Sequence, residues 1–137
     1  MELQVGVKIL LKNKDGKYLA VKRSKEKYPN ASGVWDIVGG RIEPGTSLFE
    51  NLKREVKEET QLDLIEIPKL IGAQDIFRVS GKHIVRLTYA GTIDGQVELD
   101  KNENTEFKWL SIDELGGMED LCSYFREILN NNSFKLF

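Results

Sequence analysis

Set among strand-like runs of alternating polarity, one segment has a different period: "SLFENLKREVKEET", residues 47–60. It constrains the fold more than any other stretch. Ser47 and Glu50 stand at the S-x-x-E spacing of a capping box, so a helix is expected to begin near Leu48. At about 100° per residue, Leu48, Phe49, Leu52 and Val56 fall on one apolar arc, which has to cover another element. The candidates for that element lie on both sides. "VGVKILL" and "KYLAVKR", joined by "KNKDG" with the turn pair Asp15-Gly16, read as a first hairpin. "KLIGAQDIFRV" and "HIVRLTYAGTI", with a turn at Gly81-Lys82, read as a second, and "EFKWL" as a further strand. A second helical pattern runs over 118–130. The expected class is α/β, a mixed sheet covered by helices, and two hairpins argue against a wholly parallel sheet.

At 137 residues, with 40% hydrophobic and 9% aromatic content, the chain can bury one core. No repeat, low-complexity tract or Pro/Ser-rich linker divides it, so one domain over 1–137 is expected. Twenty Lys+Arg against 22 Asp+Glu leave a formal charge of −2, which gives no general attraction to nucleic acid or to an anionic membrane. An anionic ligand must therefore be held by a local site. No apolar run approaches the roughly 20 residues that span a bilayer, and "MELQVGVKILLKNKDG" turns polar after Leu11, so neither a membrane span nor a secretory signal is expected. Cys122 is the single cysteine and cannot form an internal disulfide; the cytoplasm is the expected compartment. "SKEKYPNASGVW", with Pro29, Asn30, Ser32 and Gly33, reads as a long loop of the kind a compact domain keeps for binding.

Glu55, Glu58 and Glu59 occupy an arc beside the apolar one, with Lys53 and Lys57 pointing elsewhere. As a solvated face this costs little, since an exposed like-charge pair such as Glu55–Glu59 is worth about 0.2–0.5 kcal/mol. At the rim of a core the balance changes: with an effective dielectric near 20, two charges about 6 Å apart repel by roughly 3 kcal/mol, and a divalent cation would reverse that sign. Oxygen ligands suit Mg²⁺ or Mn²⁺, and with His83 the only histidine there is no His/Cys set for zinc. Just upstream, "VGGRIEPGTS" carries Gly39, Gly40, Gly45 and a Pro44-Gly45 turn, able to aim carbonyls at a cation or amides at a phosphate. Taken singly, an ordinary strand-to-helix turn and a solvated face account for the two segments. Their fixed spacing favours a metal and phosphate site.

"GRIEPGTSLFENLKREVKEETQL", residues 40–62, resembles the signature box of the Nudix hydrolases, G-x5-E-x7-R-E-U-x-E-E-x-G-U with U a bulky aliphatic residue. Gly40, Arg54, Glu55, Val56, Glu58, Glu59 and Leu62 fall on their positions. Thr46 stands where the first Glu is expected, Gln61 where the box has glycine, and Val38 where many relatives have proline. The resemblance implies a Nudix-like α/β/α sandwich with a mixed sheet. It also implies a pyrophosphohydrolase in which Mg²⁺ or Mn²⁺ and an attacking water cleave a phosphoanhydride in a nucleoside diphosphate linked to another group. Nucleoside triphosphates, ADP-ribose and nucleotide sugars are all open as the small-molecule partner. The implied metal set is the Gly40 carbonyl with Glu55, Glu58 and Glu59, joined by a late carboxylate matched to Glu103 in "DKNENTEFKWL", with Glu106 as the other choice.

Glu55, Glu58 and Glu103 are also the implied catalytic carboxylates. Arg54 would orient a glutamate, or pair with Glu50 and Glu58 on its own helix. Arg23 and Arg41 are candidates for substrate phosphate, Arg23 because it resembles a position that contacts phosphate in some members, although by itself it reads first as a plain surface arginine. Trp35, Phe77 and Tyr89 could stack on a base or be core aromatics, and His83 reads as structural or exposed. Thr46 suggests weakened or altered activity, with a nucleotide-binding or regulatory domain of little turnover as the alternative. Gln61 should change only how the helix ends, and Val38 should loosen the loop slightly. Phe134, Leu136 and Phe137 form an apolar tail that must dock on its own domain or meet another chain.

Overall fold

The computed structural model describes residues 1–29 and 33–131, so Asn30, Ser32 and the apolar tail with Phe134, Leu136 and Phe137 lie outside the described residues. Strand β1 (Glu2–Lys12) is the spine of a seven-stranded mixed sheet. Strands β2 (Tyr18–Arg23), β3 (Trp35–Asp36) and β4 (Val38–Arg41) precede helix α1 (Leu48–Thr60). Strands β5 (Lys69–Ile76), β6 (Lys82–Thr92) and β7 (Asn104–Leu110) follow it, and helices α2 (Ile112–Gly116) and α3 (Ser123–Asn130) close the chain. β1 pairs in parallel with β6 along its whole length, from Glu2↔Lys82 to Lys12↔Thr92, and antiparallel with β4 from Gly6↔Arg41 to Ile9↔Val38. β5 and β6 form the expected second hairpin.

The first hairpin is only half realised. Its turn is there, with Asn13 Oδ1 accepting from the Asp15 and Lys17 amides at 3.0 and 2.9 Å. Its arms meet at Lys12↔Tyr18 and then part, because β4 occupies the edge of β1 that β2 would use. β2 pairs instead with β7 and β3.

Period-two alternation sends Val7, Ile9 and Leu11 of β1 to one face and Leu10 to the other. On the first face Leu52 and Val56 of α1 pack with Val21 and Val38; on the second, Leu115, Phe125 and Ile128 pack with Ala20, Ile37 and Ile71. The result is an α/β/α sandwich with β1 buried on both sides. Among the described residues no helix is long and apolar enough to cross a membrane.

Several local expectations are corrected. Leu48 is 39% exposed, so the buried part of the α1 arc starts further along. Ser47 Oγ does accept from the Glu50 amide at 3.2 Å, but the Glu50 carboxylate pairs with Lys53 at 3.7 Å. The helical pattern over 118–130 yields only α3 from Ser123, because Leu121 bridges to Trp35 and the Cys122 amide donates to the Trp35 carbonyl. α2 was not anticipated, although Ser111 and Glu114 carry its signal and make both halves of a capping box at 3.1 and 2.9 Å. Val38, at the position where many relatives have proline, is fully buried and paired with Ile9. Gln61 adopts the left-handed conformation itself, at φ 64°, and its amide donates to the Lys57 carbonyl, so the helix ends as it would at glycine.

Candidate active site

The acidic half is built where β4 runs into α1. A Cβ on Gly39 would sit 2.0 Å from the Val7 carbonyl oxygen, and one on Gly40 2.5 Å from Glu55 Oε1. Glycine at 40 lets the Glu55 carboxylate lie against the β4 backbone, and glycine at 39, at φ 146°, lets β4 close on Val7 and Lys8 of β1. The Gly39 amide donates to Glu59 Oε2 and Asn104 Nδ2 to Glu59 Oε1, each at 2.9 Å. Burial pushes the Glu59 carboxyl up to about 7, although Lys8 and these hydrogen bonds pull the other way. Glu55 is also raised, by burial first and the Glu58 charge second. Glu58 is exposed and lies 3.9 Å from Arg54.

Arg54 donates to Asn51 Oδ1 at 2.7 Å and to the Arg41 carbonyl at 3.2 Å, and lies 3.7 Å from Glu55 and 3.4 Å from Glu43. Asn51, fully buried, holds the preceding turn: it accepts from the Glu43 amide at 2.9 Å and donates to the Thr46 and Ser47 carbonyls at 3.0 and 2.7 Å. Among the described residues no three His, Cys, Asp or Glu side chains already converge into a metal-holding set. The donor chemistry nevertheless fits a hard cation. It is all oxygen, and a divalent cation would favour the charged form of Glu55, which burial first and the Glu58 charge second now disfavour.

Of the two late carboxylates, Glu106 is turned away, paired across the strands with Lys22 at 3.0 Å. Glu103 sits where the 24–29 loop meets β7. The Tyr28 hydroxyl and Lys27 ammonium both donate to its carboxylate, and the Ser24 amide donates to its carbonyl at 2.9 Å. Burial alone would raise the Glu103 carboxyl; those two donors outweigh it and hold it below the ordinary value. The next residue, Asn104, bonds Glu59 at 2.9 Å, which brings this stretch of chain up to the α1 carboxylates.

The basic half was not anticipated apart from Arg23 and Arg41. Asp36 is 2% exposed and binds Arg23 at 3.0 Å, Arg86 at 3.0 and 3.3 Å and Lys8 at 3.4 Å. Burial would raise Asp36, but the charges of Arg86, Lys8 and Arg23 hold it well below the usual carboxylate range. Burial, with Arg23, lowers Lys8 to about 8. Arg23 is thus no plain surface arginine: it stacks on Tyr28 at 4.6 Å and lines a cavity of about 300 Å³ with Lys8, Gly39, Gly40, Arg41 and Arg86. A second cavity of about 160 Å³ shares Arg23, Arg41 and Arg86 and extends to Arg78 and Tyr124. Arg41 itself donates to Gln4 at 3.1 Å. The available signal for Lys8, Asp36 and Arg86 was a charge interrupting an otherwise apolar strand.

A larger cavity of about 550 Å³, around Gln61 and Asp94 at the far end of α1, has neither group of charges at its wall. The base-stacking candidates are dispersed: Trp35 and Tyr89 are partly buried against the two cores, and Phe77 is exposed beside His83, which pairs with Asp75 at 2.7 Å.

A family model described as the NUDIX domain matches residues 2–130. The chain belongs to the Nudix family, a family of hydrolases acting on pyrophosphate bonds. It is 30% identical over 111 residues to a MutT-like protein of Streptomyces ambofaciens, covering 81% of this chain and 66% of that protein. To the NAD-capped RNA hydrolase NudC of Vibrio atlanticus (strain LGP32) it is 27% identical over 118 residues, covering 85% and 41%. The crystal structure of a MutT protein from Methanosarcina mazei Go1 matches with a TM-score of 0.81 at 28% identity, covering 98% of this chain and 96% of that one. A MutT Nudix hydrolase from Burkholderia pseudomallei, at 24% identity and a TM-score of 0.79 over 95% and 98%, shares the fold. The chain spans between 41% and 66% of the length of the curated relatives it matches first.

Proposed function

We propose that residues 1–137 act as one Nudix domain that hydrolyses a phosphoanhydride bond of a small nucleotide with Mg²⁺ or Mn²⁺. The observation that carries this is the division of charge about Gly39-Gly40, with Glu55 and Glu59 on one side and Lys8, Arg23 and Arg86 on the other. Glu55, Glu58, Glu59, the Gly40 carbonyl and Glu103 would hold the cations. The bound cations would neutralise charge developing on phosphate oxygens and activate the attacking water.

The chain's own residues do the rest. Gly39 and Gly40 allow a phosphate to approach the backbone. Arg23 and Arg41 hold it by charge-assisted hydrogen bonds. Arg54, fixed by Asn51 and the Arg41 carbonyl, orients Glu55. For Glu103 to serve a cation held by α1, it has to exchange the Tyr28 or Lys27 contact.

Relatives carry the names nucleoside triphosphatase NudI, putative 8-oxo-dGTP diphosphatase and NAD-capped RNA hydrolase NudC, so the nucleotide class is shared while its other moiety differs. Nucleoside triphosphates, ADP-ribose and nucleotide sugars form the substrate panel. Cys122 is free and buried, which is consistent with a reducing compartment, and the cytoplasm is the address we propose. A second reading, nucleotide binding with little turnover, is favoured by Thr46 at a carboxylate position of the box.

Phosphate or pyrophosphate release from the panel, with Mg²⁺ and with excess chelator, separates the two. Release is expected with Mg²⁺ alone. Glu58→Gln should lower it about 10²-fold or more, the scale lost with one charge-stabilising group, while Glu106→Gln stays within a few-fold. Full turnover in chelator sinks the metal chemistry, and binding without release supports the second reading.

A further inference from the structure

Glu103 is tied down twice, once by its backbone and once by its side chain. The backbone ties already fasten the 24–29 loop to the start of β7: the Ser24 amide donates to the Glu103 carbonyl at 2.9 Å, and the Tyr28 amide to the Ser24 carbonyl at 3.0 Å. The Glu103 and Asn104 amides both donate to the Asp100 carbonyl at 3.0 Å. Holding the loop therefore does not require the Glu103 carboxylate. Yet the Lys27 ammonium donates to its Oε1 and the Tyr28 hydroxyl to its Oε2.

The Tyr28 hydroxyl is itself held from behind. Its ring lies over the Arg23 guanidinium, 4.6 Å from Cζ to the ring centre, and Arg23 Nη2 donates to Asp36 Oδ2 at 3.0 Å. Asp36 is buried in β3, so the arm from Asp36 through Arg23 to the Tyr28 hydroxyl is rooted in the sheet. The hydroxyl cannot follow the carboxylate if the carboxylate turns away. The carboxylate can turn: the Glu103 side chain is 25% exposed, and rotation about its own bonds leaves every backbone tie in place. On its other side Asn104, whose Cα is about 3.8 Å further along the chain, donates to Glu59 Oε1 at 2.9 Å. Glu103 thus stands between Tyr28 and the carboxylates of α1.

Given the cation reading of Glu55, Glu58, Glu59 and Glu103, on which this rests, we propose that Tyr28 is a positioning residue for Glu103. Its hydroxyl, with the Lys27 ammonium, competes with a divalent cation for this carboxylate and sets how tightly the acidic half binds one. A carboxylate shared in this way serves the cation only in those molecules where it has left Tyr28, and the apparent affinity is reduced by that fraction. Hydrogen bonds to an ionised group are the strong ones, so the fraction is small. Lys27 adds a positive charge that repels any cation with or without such an exchange. Tyr28 adds none, so removing its hydroxyl isolates the competition.

The test is a pairwise cycle on the whole chain, with Mn²⁺ alone as the probe and free Mn²⁺ counted by its electron paramagnetic resonance signal. Tyr28→Phe keeps the ring on Arg23 and should bind Mn²⁺ about three- to tenfold more tightly than the parent, as expected when one of two charge-assisted donors is removed. Glu103→Gln should bind more weakly than the parent, and adding Tyr28→Phe to it should bring no gain. In chelator Tyr28→Phe should melt below the parent, and saturating Mn²⁺ should narrow that gap. Where turnover is measured, the Mg²⁺ concentration that gives half the maximal rate should fall by the same factor. If Tyr28→Phe does not fold, Lys27→Met replaces it in the cycle, measured at raised ionic strength to screen the lost charge.

Unchanged or weaker Mn²⁺ binding by Tyr28→Phe, or an equal gain when residue 103 is glutamine, would overturn the proposal. Mn²⁺ bound and a phosphoanhydride cleaved by the parent, with Tyr28→Phe no tighter, would overturn it alone and leave the hydrolase reading standing. No Mn²⁺ bound by either protein would overturn it together with the metal reading.

Discussion

Replacing Glu59 by glutamine tests the acidic half through stability, without any assumption about substrate. Glu59 is 5% exposed, held between the Gly39 amide and Asn104, and burial raises its carboxyl from 4.5 to about 7. A carboxyl raised in this way binds its proton more tightly folded than unfolded. The stability it contributes is complete below about pH 4.5 and is lost as pH rises through about 7. At 1.36 kcal/mol per pKa unit, the loss across that interval is about 3 kcal/mol, most of it between pH 5 and 8.

Glu59→Gln removes the ionisation and keeps an acceptor for Gly39, so the metal-free variant should lack this slope. Its advantage over the parent should widen by about 2 kcal/mol from pH 5 to pH 8, roughly 5–10 °C in melting temperature for a chain of this size. Glu55, also raised, and Lys8, lowered to about 8, are present in both proteins and both feel the Glu59 charge, so any change in their titration on substitution also originates at Glu59. Melting followed by circular dichroism in chelator at each pH from 5 to 8 measures the effect. Saturating Mg²⁺ at pH 8 should then reverse the order, because binding to the folded state stabilises the parent more. Parallel melting curves for the two proteins across the whole pH range would refute the account of Glu59 as a buried, proton-holding carboxyl.

Two further substitutions probe the departures from the box. Thr46→Glu should raise turnover or Mg²⁺ affinity with little change in stability, since the turn is held by the Thr46 backbone, which donates to Glu43 at 3.1 Å and accepts from Asn51 at 3.0 Å. Unchanged metal dependence in a titration would mean that Glu43, 3.4 Å from Arg54, already supplies the missing anion. Gln61→Gly relieves a left-handed residue at φ 64°, worth about 1–2 kcal/mol, against about 0.5–1 kcal/mol of added chain entropy. A net gain of about 0.5–1 kcal/mol should appear as a higher urea midpoint at unchanged slope; a lower midpoint would contradict the strain argument.

The parts of the protein that were legible from sequence are those whose causes lie within one or two turns of chain. The Ser47 cap, the apolar arc through Leu52 and Val56, and the carboxylates beside it follow from helical geometry, and the spacing of Gly40 from Glu55 carried the family. The second hairpin was readable because its strands and its turn are contiguous. α2 was missed in spite of a full capping box, since five residues give the period too little length to register.

What local pattern could not decide is which partner each strand and each charge would find. The hairpin rule pairs β1 with β2, yet β1 spends one edge on β6, some 80 residues away, and most of the other on β4. Glu58 and Glu59 look alike on a helical wheel, and β4 and Asn104 bury one and leave the other in solvent. Glu103 and Glu106 lie three residues apart, and the pairing of β7 with β2 directs Glu106 to Lys22, while the loop around Tyr28 captures Glu103. Lys8, Asp36 and Arg86 are isolated charges in three different strands, each looking like an error in an apolar run. By itself the sequence determined the helix, its carboxylates and the glycine turn that aims at them, because those depend on φ, ψ and side-chain period over a few residues. The tertiary structure alone decided the basic half of the cleft, because a buried ion is tolerable only beside its counter-ion and β1, β3 and β6 bring those charges together across more than 75 residues of chain.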